Sequence, residues 1–397
     1  MKVLLIHHGN ILGGASLSLC YLTRKLEDQP NLEIEIVCHA PAMREFFAKN
    51  LKSQVNLWMD PCTFFGKILI GWSSFNSLRS YSLFFNDLIR MPKSILTQLR
   101  LIRKRSPDLV HLNSATMFSS AIAARLAGVP IIWHIREPLQ GNRLIVKLVG
   151  FFIRKTAAAV IAISEEEAVR LGEDTDKKVY VIYNPINTEA LNPDRYNQLQ
   201  EKRKLGFEQS DKLVLSLGGV NPRKGTLELV KAMQYTDPDT YLLIAGPPLP
   251  KEAASGSYEQ KITKILSLLG NNQVRFTGNL ENIVPLLAAC DVLVFAGTKP
   301  HFPRPVFEAW QMSKPVVVFD MNGISNQVQH RVDGIIVKEI SGSALGSAIV
   351  DLLRDTNAIQ RYGRAGRLKS KRMCNPVTIA ERVFEIYSEI LHMDKTN

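Results

Sequence analysis

A glycine-rich segment in the second half of the chain has the composition of a diphosphate-binding turn. The apolar run at 213–217 leads into GGVNPRKG at 218–225, after which a helical pattern begins. Amide groups at a helix N-terminus attract anions, and the ammonium group of Lys224 adds a point charge at the same turn. The alternative is a lysine that is merely solvated in a turn.

A similar but weaker pattern lies near the start of the chain. The apolar run at 3–6 is followed by Gly13 and Gly14 and by an apolar helical pattern at 17–26. Glycines allow a phosphate to approach the backbone closely, but the full G-x-G-x-x-G fingerprint is absent, which disfavours a nicotinamide cofactor. A purely structural turn is the alternative. Gly246 marks a third strand end of small residues where a ligand could approach.

The most informative carboxylate belongs to Glu308. It lies in RPVFEA at 304–309, between the apolar runs at 292–295 and 315–319. This order predicts that Glu308 lies in the first turn of a short helix, where its carboxylate could accept hydrogen bonds from the two vicinal hydroxyls of a ribose. An isolated helical glutamate is usually solvated. The flanking strands favour the functional interpretation.

Two series of short apolar runs must position these residues. The first comprises 3–6, 34–37, 109–112, 131–134, 160–163 and 179–183, and the second 213–217, 241–245, 274–277, 292–295, 315–319 and 335–337. Such runs, alternating with helical patterns, indicate βαβ units and parallel sheets. With 397 residues the chain is also long enough for two cores. We therefore predict an α/β fold with two Rossmann-like domains.

The boundaries of these domains follow from composition. The polar segment 187–210, rich in Asn and Gln, is interpreted as the linker, which gives an N-terminal domain at 1–186 and a C-terminal domain at 187–375. The amphipathic stretch 379–391 predicts a terminal helix, and we expect 376–397 to pack back onto the first domain. Within the first domain, Ser164 and Glu167 form a predicted capping box.

The positive charge is concentrated in one segment. The formal net charge is +12, and residues 61–160 carry 14 lysines and arginines against three acidic residues. The same segment is rich in aromatic residues, namely Phe64, Phe65, Trp72, Phe75, Tyr81, Phe84 and Phe85. This mixture suits an anionic membrane surface, although a solvated basic helix face explains it equally well. Nucleic acid is disfavoured because no recognition module accompanies the basic residues.

Other features disfavour several classes of protein. The five cysteines are widely spaced, which argues against a zinc site or a disulfide framework and fits a reducing cytoplasm. The first apolar run is too short for a signal peptide, and no apolar stretch predicts a membrane-spanning helix. The acidic pairs Asp174 with Asp176 and Asp237 with Asp239 lie among turn residues, so we expect solvation rather than metal binding.

Together, these motifs resemble those of a GT-B glycosyltransferase of family four. The resemblance covers nearly the whole chain and rests on 13–15, 160–165, 184–185, 223–225, 246, 276–278 and 304–309. It implies two Rossmann-like domains that face each other across a cleft, the first binding the acceptor and the second the nucleotide sugar. It also implies a retaining transfer to a glycan or lipid-linked acceptor in cell-surface polysaccharide or lipopolysaccharide synthesis. No metal or other cofactor is implied, since the nucleotide sugar is a co-substrate.

The resemblance assigns roles to individual residues. Glu308 is expected to bind the ribose hydroxyls, Lys224 to neutralise the diphosphate, and the backbone of Gly14 to lie near the donor phosphates. The expected donor-binding residues are Gly13, Gly14, Gly218, Gly219, Arg223, Lys224, Gly246, Arg304 and Glu308, of which Arg223, Lys224 and Glu308 form the expected catalytic group.

Three positions depart from the family pattern. Gly219 stands where the family usually has a phosphate-binding arginine, Pro300 stands in place of the first glutamate of E-x7-E, and Arg136 aligns with a histidine. Removing one such phosphate donor typically costs on the order of 10²- to 10³-fold in rate. We expect a replacement cation from Arg223, Lys299 or Arg304.

The remaining expectations concern the acceptor and the membrane. We expect His8, His134 and Arg136 to contact the sugar or acceptor, and His7 to be a hydrogen-bonded structural residue. The basic, aromatic segment suggests that a cytoplasmic enzyme docks peripherally on the inner face of the membrane. Two alternatives stay open, a catalytically weak sugar-binding partner subunit and a nucleotide-sugar epimerase of the same architecture.

Overall fold

The chain divides into two compact units. A computed structural model describes residues 1–9, 13–57, 63–69, 78–140, 142–171, 179–249, 257–269 and 273–394, with only the backbone described at 63–65 and 393–394. Unit 1 comprises Met1–Pro185 and Pro376–Asn397, and unit 2 comprises Ile186–Asn375. Each unit has its own parallel sheet.

Unit 1 contains a seven-stranded sheet in the order β3-β2-β1-β4-β5-β6-β7. Its strands are β1 Lys2–His7, β2 Glu33–Cys38, β3 Gln54–Leu57, β4 Leu109–Leu112, β5 Ile131–Ile135, β6 Ala159–Ala162 and β7 Val179–Val181. All neighbouring strands pair in parallel. Six of them match the predicted apolar runs. The sequence did not reveal β3, because this half-exposed edge strand alternates polar Gln54 and Asn56 with apolar residues.

Helices cover both faces of this sheet, so unit 1 has two apolar cores. The helices are α1 Gly14–Leu26, α2 Pro41–Asn50, α3 Thr63–Leu69, α4 Leu78–Arg105, α5 Phe118–Ala127, α6 Arg143–Thr156 and α7 Glu165–Arg170. Strand residues on one face pack with α1 and α2, and those on the other face pack with α4, α5 and α6.

Unit 2 repeats this plan with a six-stranded parallel sheet in the order β10-β9-β8-β11-β12-β13. The strands are β8 Lys212–Leu217, β9 Thr240–Ala245, β10 Val274–Gly278, β11 Val292–Phe295, β12 Val316–Phe319 and β13 Gly334–Val337. The helices are α8 Gln198–Lys204, α9 Thr226–Ala232, α10 Tyr258–Leu268, α11 Val284–Ala289, α12 Arg304–Gln311, α13 Gly342–Arg354 and α14 Thr356–Met373. All six predicted strands are present.

The last helix, α15 Pro376–Asp394, belongs to unit 1. Its buried residues Ala380, Val383, Ile386 and Tyr387 join the core beneath α1 and α2. The amphipathic stretch of the sequence therefore reflects a real packing surface.

The interpretation of 187–210 as a linker was wrong. The segment belongs to unit 2 and contains a 3-10 helix at Pro193–Arg195 as well as α8. Its asparagines made it look like a linker, but Asn192 and Asn197 cap these two helices through their side chains. Lys202 of α8 forms a buried ion pair with Asp291 at 2.8 Å.

Only half of the predicted capping box forms. The Ser164 hydroxyl accepts a hydrogen bond from the backbone N–H of Glu167 at 3.2 Å, which starts α7 as expected. The Glu167 carboxylate instead accepts from the N–H of Leu139 at 3.0 Å. Burial raises the pKa of Glu167 to about 7. The second half of the box fails because a more distant backbone donor competes for the carboxylate.

Within the described parts of the chain, none of the helices combines the length and the apolar character that crossing a bilayer requires.

Candidate active site

In each unit the strand order reverses at one point of the sheet. In unit 2 the chain runs outward from β8 to β9 and β10, then returns to place β11 on the other side of β8. In open α/β sheets, ligands bind beyond the carboxyl ends of the strands at such a point. Except for Gly13 and Gly14, which belong to unit 1, the predicted donor residues lie at this edge of unit 2, by which we mean the carboxyl ends of its strands.

The turn after β8 is built for glycine. Gly219 has φ +67°, and a Cβ there would lie 2.4 Å from the backbone N and O of Pro247. Gly246 packs against the turn from the end of β9, so that a Cβ on it would lie 2.5 Å from the Gly219 nitrogen. The family's arginine therefore cannot stand at position 219 unless this backbone moves.

Lys224 is held by an aromatic residue and a histidine. Its Nζ lies 3.0 Å from Nε2 of His301 and 4.8 Å from the ring centroid of Phe295. Burial, and then the charge of Arg223, lower the pKa of Lys224 to about 8. Burial and the same two cations hold the pKa of His301 well below its usual value. The neutral imidazole of His301 therefore accepts a hydrogen bond from the Lys224 ammonium.

Sequence reasoning missed His301. It stands next to Pro300, one of the positions where the family pattern is broken, and its ring stacks on Phe295 at 5.9 Å between centroids. The position of His301 directly after Pro300 was the one feature of the sequence that could have pointed to it. The missing carboxylate at Pro300 draws attention to the loop, but only the folded chain shows that a neighbouring side chain reaches Lys224.

Glu308 is buried on α12 and forms an ion pair with Arg304, whose Nε lies 2.9 Å from Oε1 of the carboxylate. The prediction that Glu308 lies in the first turn was wrong. Arg304 and Pro305 occupy the first positions of α12, and Glu308 lies one turn further along. The shift of one turn places Arg304 at spacing i, i+4 from Glu308, so the two side chains can meet.

The three proposed replacement cations differ in their surroundings. Arg304 is engaged by Glu308, and Arg223 lies close enough to Lys224 to lower its pKa. Lys299 is exposed. Of the three, Arg223 is therefore the cation whose charge is felt by Lys224.

The corresponding edge of unit 1 is filled with side chains. His7, the last residue of β1, places Nε2 3.0 Å from the Ser16 hydroxyl of α1, and its Nδ1 accepts from the Asn113 amide at 3.0 Å. Asn113 follows β4, so this contact crosses the point where the strand order of unit 1 reverses. His7 is buried and bonded at both nitrogens, as predicted for a structural histidine.

Arg136 extends this network from the end of β5. Its Nε donates to the Asn113 side-chain oxygen at 2.9 Å, and an Nη1 hydrogen bond reaches the Asn184 side chain. Its Nη2 meets no hydrogen-bond partner among the residues that the structure describes, although Arg136 is only 7% exposed. Burial lowers the pKa of Arg136 to about 9. A cation thus lies buried beside two neutral amides, and the charge of Glu137 partly opposes the effect of burial on its pKa.

His8 and His134 lie at the same edge in different settings. His8 is partly exposed and pairs through Nε2 with Glu137 at 3.2 Å. His134 is buried, and its Nδ1 lies 3.1 Å from Nε2 of His111, which in turn meets the Tyr387 hydroxyl at 2.7 Å. Burial lowers the pKa of His111 to about 3, so this chain of side chains is neutral. Sequence reasoning missed His111, Asn113 and Tyr387.

The glycine turn of unit 1 is described in part. Residues 10–12 lie outside the described chain, Gly13 is the N-cap of α1, and a Cβ on Gly14 would meet nothing within 4 Å. Phosphate binding at this turn stays a prediction.

The structure describes one of the two acidic pairs, Asp237 with Asp239. Asp237 pairs with Arg354 at 2.9 Å, and Asp174 and Asp176 lie outside the described residues. Across the described ranges, no three His, Cys, Asp or Glu side chains form a group that could hold a metal ion.

Comparison with solved structures identifies the architecture as GT-B. HepE of Anabaena, solved in complex with UDP and glucose, superposes with a TM-score of 0.78 over 98% of this chain and all 100% of that chain, at 22% identity. The two parallel-sheet units thus have the α/β folds of the GT-B architecture.

Sequence comparison then gives the family. Residues 12–190 match the model for glycosyltransferase family 4, and residues 197–369 match the model for glycosyl transferases group 1. The chain belongs to the family 4 glycosyltransferases, as its motifs suggested.

The names of two curated relatives describe transfer to lipid-linked acceptors. The Escherichia coli UDP-Gal:alpha-D-GlcNAc-diphosphoundecaprenol alpha-1,3-galactosyltransferase is 24% identical over 77% of this chain and 81% of the relative. The Campylobacter jejuni N,N'-diacetylbacillosaminyl-diphospho-undecaprenol alpha-1,3-N-acetylgalactosaminyltransferase is 25% identical over 45% of each chain.

Proposed function

We propose that this glycosyltransferase moves a sugar from a nucleotide sugar to a lipid-linked acceptor, with retention of anomeric configuration, in cell-surface polysaccharide or lipopolysaccharide synthesis. The proposal is supported mainly by the arrangement of residues at the edge of unit 2. The turn after β8 has no room for a side chain at Gly219 and lies beside Lys224. The buried carboxylate of Glu308 lies on α12, which follows the neighbouring strand β11. The two relatives named above support the lipid-linked acceptor.

In this proposal the nucleoside diphosphate binds along that edge. Its ribose hydroxyls donate to Glu308, and its phosphates take hydrogen bonds from the Lys224 ammonium and lie against the side-chain-free turn at Gly218 and Gly219. Lys224 is held at the turn by His301, so little reorganisation is needed when the anion arrives. Arg223 supplies the second positive charge.

The proposed reaction needs a stabilised leaving group. The acceptor oxygen bonds to the anomeric carbon as the bond to the diphosphate breaks, and the hydroxyl proton passes to a leaving phosphate oxygen. Negative charge therefore grows on the diphosphate, where fixed cations and amides act most strongly. The nucleotide sugar is a co-substrate, and the scheme uses no metal or other cofactor.

A binding screen followed by product analysis tests the proposal. Thermal shifts with UDP, GDP and ADP should single out one base, because ligand binding to the folded state raises its stability. Uridine is the first candidate, since HepE was solved with UDP. Proton NMR of the product made from the matching nucleotide sugar and an undecaprenyl-diphosphate sugar should show the donor's anomeric configuration. No shift with any nucleotide, or an inverted product, would contradict the proposal.

Peripheral membrane contact is the second part of the proposal, and it rests on α4 and α6. These helices expose many apolar side chains to solvent; for example, Ile89 is 77% exposed and Leu144 is 66% exposed. We call these exposed faces the membrane surface; their apolar members are Leu78, Tyr81, Leu83, Phe85, Leu88, Ile89, Leu96, Leu144, Ile145, Leu148 and Phe151.

Basic residues accompany this membrane surface. Arg90 and Lys93 are exposed on α4, and Arg143, Lys147 and Lys155 on α6. Apolar groups beside cations match the chemistry of an anionic leaflet. We therefore propose that the enzyme works at the inner face of the membrane. Of the aromatic residues noted in the sequence, Trp72 and Phe75 lie outside the described chain.

Flotation with vesicles tests this surface. Phosphatidylglycerol vesicles should carry the protein at low salt, and high salt should weaken the binding because it screens the charges. Leu148→Glu should reduce flotation. Leu268→Glu, which changes a residue 68% exposed on α10 of unit 2, is the matched control. Equal flotation of both variants, or none of the unaltered protein, would reject this part.

A further inference from the structure

The buried guanidinium of Arg136 keeps one nitrogen, Nη2, without a hydrogen-bond partner among the described residues. The charge of the adjacent Glu137 acts on Arg136, but the Glu137 oxygens meet Nε2 of His8 at 3.2 Å and the N–H of Ala115 at 3.2 Å, and no described carboxylate forms a direct ion pair with the guanidinium. A buried charge is costly unless it is paired and fully hydrogen-bonded. An anion that accepts from Nη2 would therefore complete the hydrogen bonding of this guanidinium.

Its surroundings favour an anion of a particular kind. Asn113 and Asn184 fix the Nε and Nη1 sides of the guanidinium, so the unpaired Nη2 points in a set direction. A planar fork of this kind suits the oxygens of a phosphate or carboxylate. The neighbouring His7, His111 and His134 are kept neutral by burial and by the charge of Arg136 itself. The charge of Glu137 also acts on Arg136, but among the described contacts no oxygen of Glu137 is bonded to Nη2, which is left for an incoming oxyanion.

This edge is connected to the membrane surface through α3. Gly66 of α3 packs so closely on the segment after β4 that a Cβ would lie 2.4 Å from the Thr116 carbonyl oxygen. Burial lowers the pKa of His8, and the charge of Lys67, also on α3, adds to that effect. The same helix contacts both α4 and α6. α3 thus joins the helices that carry the membrane surface to the edge that holds His8 and Arg136.

We propose that Arg136 forms an oxyanion subsite in unit 1 that binds a phosphate group of the acceptor's lipid diphosphate. This inference rests on the proposed function, since it assumes a lipid-diphosphate acceptor. The donor's diphosphate is the other possible source of phosphate. It already has Lys224, Arg223 and the glycine turn of unit 2, whereas the acceptor's phosphates have no other buried cation on the described edge of unit 1.

The test compares two ligands that differ only in the diphosphate. Binding of farnesyl diphosphate and of farnesol is measured by calorimetry with UDP present, for the unaltered protein and for Arg136→His, which restores the residue of the resembled family. Arg136→Gln is the second variant should the first fold poorly. Arg125→Gln, at an exposed arginine of α5, is the matched control. UDP binding is measured separately for each protein.

The unaltered protein and Arg125→Gln should prefer the diphosphate over the alcohol by on the order of 10- to 100-fold, the value of charge-assisted hydrogen bonds. Either Arg136 variant should lose that preference and keep its UDP affinity. A preference that survives in both variants overturns the subsite, and so does an unaltered protein without preference. A matching loss of UDP affinity would assign Arg136 to the donor. If UDP binds to none of the proteins, the proposed function fails, whatever the farnesyl ligands show.

Discussion

The two units have similar parallel sheets, but different groups occupy the carboxyl ends of their strands. In unit 2 the point where the strand order reverses is lined by backbone, since Gly219 and Gly246 pack too tightly for any side chain. In unit 1 the equivalent point is filled by His7, Asn113 and Arg136, which are hydrogen-bonded in series. The first arrangement lets a ligand approach the backbone closely beside Lys224, and the second holds a buried cation within a side-chain network.

This difference shows that the same fold can bind ligands in two ways, through the backbone in unit 2 and through side chains in unit 1. A backbone-lined turn can accept a diphosphate closely but cannot choose between substrates by side-chain chemistry. A side-chain network can choose, but each buried member must be satisfied by another. The departures from the family pattern at Gly219 and Arg136 fall on these two edges, one in each unit.

The largest expected effect tests the unit 2 edge. Lys224→Ala should lower turnover on the order of 10²- to 10³-fold, because a preorganised donor to the leaving diphosphate is lost. Steady-state transfer rates measure the effect, and Lys261→Ala, at an exposed lysine of α10, is the control. Equal rates for the two variants would remove Lys224 from the reaction.

A second change tests whether the glycine turn is required by packing. Gly219→Ala should destabilise unit 2 by about 2–5 kcal/mol, the sum of a left-handed backbone and overpacking against Pro247. Gly128→Ala is the matched variant, since φ there is +74° but a Cβ meets nothing within 4 Å. Urea denaturation should separate the two costs. Similar midpoints would show that the turn has room for a side chain.

The side-chain network of unit 1 can be broken at its centre. Asn113→Ala removes the partner of both His7 and Arg136, and leaving a buried polar group unpaired costs about 1–3 kcal/mol. Asn142→Ala, at the exposed N-cap of α6, should cost about 1 kcal/mol. If urea denaturation finds the buried change no more costly than the exposed one, the network does not hold this edge together.

The smallest expected effect is the pH dependence of nucleotide binding. Lys224 loses its proton near pH 8 in the free protein, whereas a bound diphosphate favours the protonated form. UDP affinity should therefore be flat below pH 8 and fall by up to about tenfold per pH unit above it, with one proton taken up. Lys224→Arg keeps its charge and should abolish the slope. Calorimetry from pH 7 to 9.5 measures how UDP affinity depends on pH. A slope that persists in Lys224→Arg would contradict the assignment to Lys224.

Much of the fold could be predicted from the sequence because buried parallel strands are continuous apolar runs. β4 and β11 were located to the residue, and most other strands to within one residue. The failures have local causes. β3 alternates polar and apolar residues at an edge, and the asparagines of 187–210 belong to helix caps rather than to a flexible linker.

For the candidate site, the sequence indicated which residues take part but not how they are arranged. Lys224, Glu308 and Arg136 were identified, but not what each one touches. His111 and Tyr387 are 276 positions apart in the chain, and Lys224 and His301 are 77 apart. No local periodicity records such contacts, because they depend on how strands and helices pack. Even the Arg304 pair with Glu308 required the correct start of α12.

The central claim, that Glu308 binds the ribose of a nucleotide sugar, is tested most directly by calorimetry with UDP and 2′,3′-dideoxyuridine diphosphate. Hydrogen bonds from both hydroxyls to a buried carboxylate should make the unaltered protein prefer UDP by on the order of 10- to 100-fold. Glu308→Ala should bind both nucleotides alike, and Glu308→Gln should show a reduced preference. An unchanged preference for UDP in Glu308→Ala would contradict the account.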